Sequence, residues 1–300
     1  MFPKSLVMLF SLVLLTGVLS VSCTKSTNTA SDEIIIGFNP AESADVVEAN
    51  GKVLAKIVQE KTGLKLKTFV ATDFGSLVEA MRSGKVHIAF LPGFSYVQAE
   101  RVAGGKILLK AVRKGRAFYY SAIITAKDFK SLADLKGKTI AWTDPSSASG
   151  HIMAKSSLMD LGIDPETYFS KQVFAGGHDA LVLSVLNKTV DAGASLSNDP
   201  EGKDGIWHQL LKDQGDKLKA LKILHVSKPI PADGMATTNE YYAKHKDVVD
   251  KFTAIMIDLG KSAEGKKILY DLYHIDEMVP ATSEEYEPLR QAAKRLNIQG

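Results

Sequence analysis

The apolar positions of this chain change period as they run, and the predicted elements follow from where they do so. Ile34-Ile35-Ile36-Gly37-Phe38 is a continuous apolar run of buried-strand type, ended by Asn39-Pro40. Over residues 45–62 the pattern turns helical, with Val53, Leu54, Ile57 and Val58 on the predicted apolar face and Gly63 as the stop. Strict alternation over 64–70 predicts a strand. A helix over 76–83 closed by Gly84, a strand over 86–91 and a short helix over 96–102 follow. Strands alternating with helices predict an α/β sheet with parallel neighbours. Further strands are expected over 107–112 and 119–125, with one helical turn over 132–135.

From Thr139 the opening pattern starts again. Thr139-Ile140-Ala141-Trp142 reads as a strand stopped by Asp144-Pro145. A helix follows with Ala154, Leu158 and Leu161 on one face, then a strand over 172–174, Gly176-Gly177-His178, a helix over 180–186 and a strand over 190–194. Residues 77–87 align with 181–191 without a gap, 104 positions apart. This architectural repeat predicts two similar lobes. In the same register Phe74 matches His178, each before a helix at the carboxyl end of a strand, the edge where open α/β sheets bind ligands. A strand over 221–226 precedes one over 235–238 that returns to the first lobe, and helices are expected over 247–259, 264–273 and 284–296. The chain is thus expected to cross between lobes near Tyr119-Tyr120-Ser121 and near His225-Val226-Ser227, two extended segments that make a hinge. Residues 33–119 and 228–300 form the first lobe with its C-terminal helices, and 120–227 the second.

Composition narrows the function. The chain has 300 residues, 45% hydrophobic and 24% charged, with a net charge of +3, too small and scattered for nucleic-acid binding. Lys4 precedes the apolar run Leu6 to Leu15, which has signal-peptide length and is short for a membrane span. Residues 1–22 are therefore read as a signal peptide. Cys23, the only cysteine, stands just after it, and the Ser/Thr/Asn-rich residues to Asp32 read as a tether. The seven histidines show no ligand spacing, and there is no Walker loop or dinucleotide fingerprint, so no metal or cofactor is expected.

The chemistry concentrates at Trp142-Thr143-Asp144-Pro145-Ser146-Ser147-Ala148-Ser149-Gly150-His151. Hydroxyls and backbone N–H groups at a strand-to-helix turn suit a tetrahedral oxyanion. The plain alternative is a serine N-cap. His178 is read as a ligand donor or an ordinary helix-start residue, and Tyr119 as a site or core residue with Tyr120 as substitute. Asp233 is read as a ligand acid or the first half of an Asp-Gly turn, and Asp73 as a helix cap. Phe94 and Tyr96 are candidates to wall the pocket, and His151 is read as a solvated helix-start residue or a marginal site member. No Arg or Lys falls at the expected site.

In these motifs the chain resembles the periplasmic binding proteins of phosphonate, phosphite and phosphate importers, two-lobed type II solute-binding proteins. Asp144-Pro145-Ser146-Ser147-Ala148-Ser149-Gly150 resembles the family's Ser-Thr-Ser-Gly phosphoryl loop, with Ala148 in place of the Thr. Gly176-Gly177-His178, Tyr119 two places before Ser121, and Ser227-Lys228-Pro229-Ile230-Pro231-Ala232-Asp233 are its other specific parts. The resemblance implies a two-lobed fold, each lobe a mixed, mainly parallel sheet flanked by helices. It implies phosphoryl contacts from Ser147, the Ala148 N–H, Ser149, His178 and Tyr119, with Ser146 compensating for the missing hydroxyl. Asp233 then faces the ligand's substituent, and Phe74 takes a position that is often Tyr. The implied partners are a small oxyanion, an ABC permease and its ATPase. Cys23 resembles a lipobox cysteine, which implies a monomeric lipoprotein anchored outside the membrane. A receptor-coupled ligand sensor and a Ser/His/Asp hydrolase are the competing readings. The hydrolase lacks a Gly-x-Ser-x-Gly elbow.

Overall fold

In the computed structural model of the chain, residues 33–40 and 43–298 are described, so the predicted signal peptide, Cys23 and the tether lie outside them. The strands in chain order begin with β1 (Glu33–Phe38), β2 (Lys65–Val70), β3 (Ile88–Leu91) and β4 (Gly105–Val112). Next come β5 (Phe118–Thr125), β6 (Thr139–Trp142), β7 (Lys171–Phe174) and β8 (Ala192–Ser197). The last are β9 (Lys222–Val226), β10 (Ile230–Pro231), β11 (Gly234–Thr238) and β12 (Glu277–Pro280). They form two six-stranded sheets. One runs β12-β4-β11-β3-β1-β2, and the other runs β10-β5-β8-β6-β7 with β9 also paired to β5.

The repeat holds at the level of register. β1 lies parallel between β2 and β3, with Ile35 opposite Lys67 and Ile36 opposite Ile88. β6 lies parallel between β7 and β8, with Thr139 opposite Lys171 and Ile140 opposite Ala192, each partner displaced by the same 104 positions. The helices Phe74–Arg82 and His178–Leu186 have equal length and the same displacement. Asp73 caps the first of them, accepting the Ser76 N–H at 2.6 Å, as expected.

Strands from elsewhere in the chain complete each sheet: β11 adds antiparallel to β3, and β5 to β8. Among the described residues these additions make three of the five pairings in each sheet antiparallel, a larger share than the strand–helix alternation predicts. The chain leaves the first sheet after β4 and rejoins it at β11. β5 holds both β9 and β10, with Ala122 opposite Val226 and Tyr119 opposite Ile230.

Helix faces are set by packing on the sheets. In Ala44–Thr62 the buried stripe is Val47, Gly51, Leu54 and Val58, whereas Val53 is 47% exposed. Gly51 is needed there for space, since a Cβ would lie 2.9 Å from the Phe38 ring. Fully burying Leu54 and Val58 contributes roughly 1.5–3 kcal/mol each. Leu161 ends its helix exposed, off the face expected for it. One apolar cluster decides where the loop sits: Ala148, Ile152 and Met153 pack with Phe94, Tyr96, Tyr286 and Leu289 of the first lobe. The back of the serine loop is therefore fixed against the opposite lobe.

Candidate functional site

β6 ends at Trp142 and the chain turns at once. Asp144 Oδ1 accepts the Ser146 N–H at 2.7 Å, and the Ser147 N–H donates to the Asp144 carbonyl at 3.0 Å. Ser147 Oγ accepts the Gly150 N–H at 3.0 Å, so the serine caps the segment that follows. That segment, Ala148–Ile152, is a π-turn leading into the helix Met153–Asp160. Gly150 lies so close to the strand end that a Cβ would sit 2.1 Å from Thr143 Oγ1. Capping and anion binding turn out to be compatible. The cap uses a lone pair of Ser147 and leaves its O–H proton to donate. The N–H groups of Ala148 and Ser149 open the turn and have no acceptor earlier within it.

Ser147, Ser149, His178, Tyr119, Asp233 and Phe74 line one cavity of about 60 Å³, at the edge where the repeat placed Phe74 and His178. Water needs about 10–15 Å³ on this measure, so the cavity holds a ligand of only a few heavy atoms. Ala148 and Ser146 do not line it. The Ala148 methyl points into the inter-lobe apolar cluster, so its contribution is confined to the backbone. Ser146 gives its backbone N–H to Asp144, and its side chain is not among those that line the cavity. Phe94 and Tyr96 are buried in the cluster behind the loop rather than in the wall.

His178 begins its helix fully inside the protein. Its Nδ1 lies 2.9 Å from Ser195 Oγ and 3.3 Å from Thr143 Oγ1. Thr143 spends its own proton on the Ala194 carbonyl at 3.1 Å. Burial, reinforced by the Arg113 charge, pushes the His178 pKa down to about 4, so the ring is neutral at pH 7. In the tautomer where the Ser195 hydroxyl donates to Nδ1, Nε2 carries the proton and is free to donate. His151 is buried rather than solvated. Its Nδ1 donates to the Pro145 carbonyl at 2.8 Å and its ring meets Trp142 and Phe174, so it braces the loop from behind. Burial lowers its pKa to about 4 as well.

Tyr119 and Asp233 are partners of each other. The Tyr119 hydroxyl donates to Asp233 Oδ1 at 3.1 Å, while Arg113 Nη2 donates to Asp233 Oδ2 at 2.9 Å. Arg113 Nε also donates to the Tyr273 carbonyl at 3.1 Å. Arg113 lines the cavity, contrary to the expectation of a site without a cation. It sits in Arg113-Lys114-Gly115-Arg116, whose ends bridge each other, with Gly115 at φ 71. Burial raises the Tyr119 pKa well above the ordinary phenol range, and the Asp233 charge adds to the rise. Asp144 lies near the Phe74 amide at the start of the first-lobe helix. Burial raises its pKa, aided by Asp73 and opposed by the amides it holds.

A nucleophile triad does not assemble. His178 Nδ1 meets hydroxyls, and Asp233 meets Arg113 and Tyr119. Besides Arg113, the sequence reading missed Asn39, Asn198 and Gln209, which also line the cavity. Asn39 follows β1, and its position at a strand's carboxyl end was an available signal.

Known proteins share this sequence pattern and fold. Residues 36–286 match the family model described as ABC transporter, phosphonate, periplasmic substrate-binding protein. The chain is 30% identical to the phosphate-import protein PhnD of Mycolicibacterium smegmatis over 73% of this chain and 70% of that one. It is 28% identical to the phosphonates-binding periplasmic protein of Escherichia coli over 88% of this chain and 77% of that one. A binding-protein component of a Pseudomonas aeruginosa ABC phosphonate transporter superposes with a TM-score of 0.75 at 28% identity, covering 87% of this chain and 85% of that one. The fold is also that of a Prochlorococcus marinus protein solved with methylphosphonate, with a TM-score of 0.78 at 19% identity over 89% and 99% of the two chains. On the extent of the family match, the chain belongs to the periplasmic substrate-binding proteins of phosphonate ABC transporters.

Proposed function

We propose that this chain captures a small phosphonate-type oxyanion between its two lobes and delivers it to the permease and ATPase of an importer. The observation that carries this is a small cavity shared by Ser147, Ser149 and His178 of one lobe and Asn39 and Phe74 of the other. Hydroxyl and imidazole donors, with the opening N–H groups of a helical turn, suit a phosphoryl group. Arg113 offsets the Asp233 charge beside it. The hydrogen-bonding of His178 and Asp233 supports capture rather than catalysis.

Calorimetric titration with methylphosphonate, phosphite, phosphate and sulfate tests the proposal. Binding of at least one phosphorus oxyanion, with sulfate at least about tenfold weaker, is expected; no binding to any would refute it. Export and a lipid on Cys23 complete the reading, which rests on the sequence of residues 1–32 alone. The intact mass of protein extracted from membranes is expected to be that of a chain starting at a diacylated Cys23; a start elsewhere contradicts the anchor.

A further inference from the structure

Two side-chain amides in the cavity wall have no use in the phosphoryl contacts. Asn198 follows β8 and is 7% exposed, and Gln209 lies in the helix Ile206–Leu210. Asn198 Oδ1 and Gln209 Oε1 are buried without a hydrogen-bond partner, and both residues line the cavity. The Asn198 backbone is pinned, its N–H donating to the Asp204 carbonyl at 2.7 Å and its carbonyl accepting from Arg116 Nη1 at 3.3 Å. Its side-chain oxygen has no partner among the described residues.

A buried amide left unpaired is costly, by more than a typical net hydrogen bond gains, so a ligand that engages it is selected over one that does not. We infer that Asn198 and Gln209 bind a neutral hydroxyl on the ligand's substituent, so that the preferred ligand class is the short hydroxyalkylphosphonates. The inference rests on the phosphonate reading of the cavity. The unpaired atoms are two oxygens, so the substituent must donate. A hydroxyl donates to one of them and, with the other amide turned, accepts from its NH2, and it does so without bringing a charge into the wall. The one carboxylate among the residues lining the cavity is Asp233, and its charge is already met by Arg113, leaving no anion to reward a cationic substituent. A volume of about 60 Å³ keeps the substituent to one or two carbons.

The test is a calorimetric comparison of hydroxymethylphosphonate, ethylphosphonate and aminomethylphosphonate, which match closely in size. Hydroxymethylphosphonate is expected to bind at least about tenfold tighter than ethylphosphonate, and tighter than the amine. In Asn198→Leu and, separately, Gln209→Met, the hydroxyl preference is expected to shrink while ethylphosphonate affinity holds or rises. Equal or tighter binding of ethylphosphonate by the unmodified protein overturns the inference while leaving the phosphonate reading intact. Tighter binding of the amine overturns the neutral-substituent assignment. Absence of binding by all three, and by methylphosphonate, removes the phosphonate reading and this inference with it. The ligand series on the unmodified protein decides the matter even where a variant does not fold.

Discussion

Arg113→Met is expected to weaken methylphosphonate binding by about two orders of magnitude or more. Its guanidinium faces Asp233 at 2.9 Å in the wall of the cavity, with the two side chains 12% and 24% exposed. Removing it leaves a carboxylate there with no cation. At an effective dielectric near 20, a unit charge about 8 Å away contributes ~2 kcal/mol, and a phosphonate near neutral pH carries up to two. The same change is expected to lower folding stability by about 3 kcal/mol, since an orphaned, partly buried charge is worse than none. Adding Asp233→Asn removes the orphan, and the double variant is expected to regain most of the stability and part of the affinity. Calorimetry and urea denaturation on the three proteins read both effects. Unchanged affinity in Arg113→Met places the ligand away from this end of the cavity.

Stability is expected to fall as pH drops from 7.5 to 5, before most carboxylates titrate. His178 and His151 are both held near a pKa of about 4 by burial, against an ordinary value of 6.5. Their folded forms refuse protons that the unfolded chain accepts, so the favourable contribution is complete above 6.5 and is lost as pH falls toward 4. Each histidine accounts for roughly 2 kcal/mol by pH 5, at about 1.4 kcal/mol per unit of pKa. His87 and His225 are shifted in the same direction, mainly by burial. Replacing His151 with Gln is expected to lower stability at pH 7.5, because the ring braces the loop, and to flatten the pH dependence by about its own share. A urea midpoint that does not move between pH 7.5 and 5 contradicts the account.

Much of the architecture was legible because it is local. A continuous apolar strand, a stop at Pro and a helix ended by Gly recur at a fixed spacing, and the register of β1–β3 and β6–β8 follows that spacing. The same repeat brought Phe74 and His178 to equivalent edges of the two sheets. What stayed hidden depends on long-range pairing. Arg113 reads as part of a charged surface turn, and only its meeting with Asp233, far along the chain, turns it into the cavity. Tyr119 reads as a site or core residue and Asp233 as a ligand acid or a turn residue, and their bond to one another has no local signature. Ala148 looked like a lost donor; its methyl fills an apolar contact between lobes that a list of hydroxyls does not show. β9 is a strand by pattern and β10 is too short to show one, and β5 holds both.

The central claim is that the loop carrying Ser147 and Ser149 grips the phosphoryl group, and its most direct test is calorimetric titration of methylphosphonate into a Ser147→Ala/Ser149→Ala variant. Hydrogen bonds to a charged acceptor contribute about 1.5–3 kcal/mol each, so affinity is expected to fall by at least about a hundredfold. Loss of the Ser147 cap adds only about 1 kcal/mol of destabilisation, leaving the variant folded for the measurement. An affinity equal to that of the unmodified protein would show that the loop is a helix cap and nothing more.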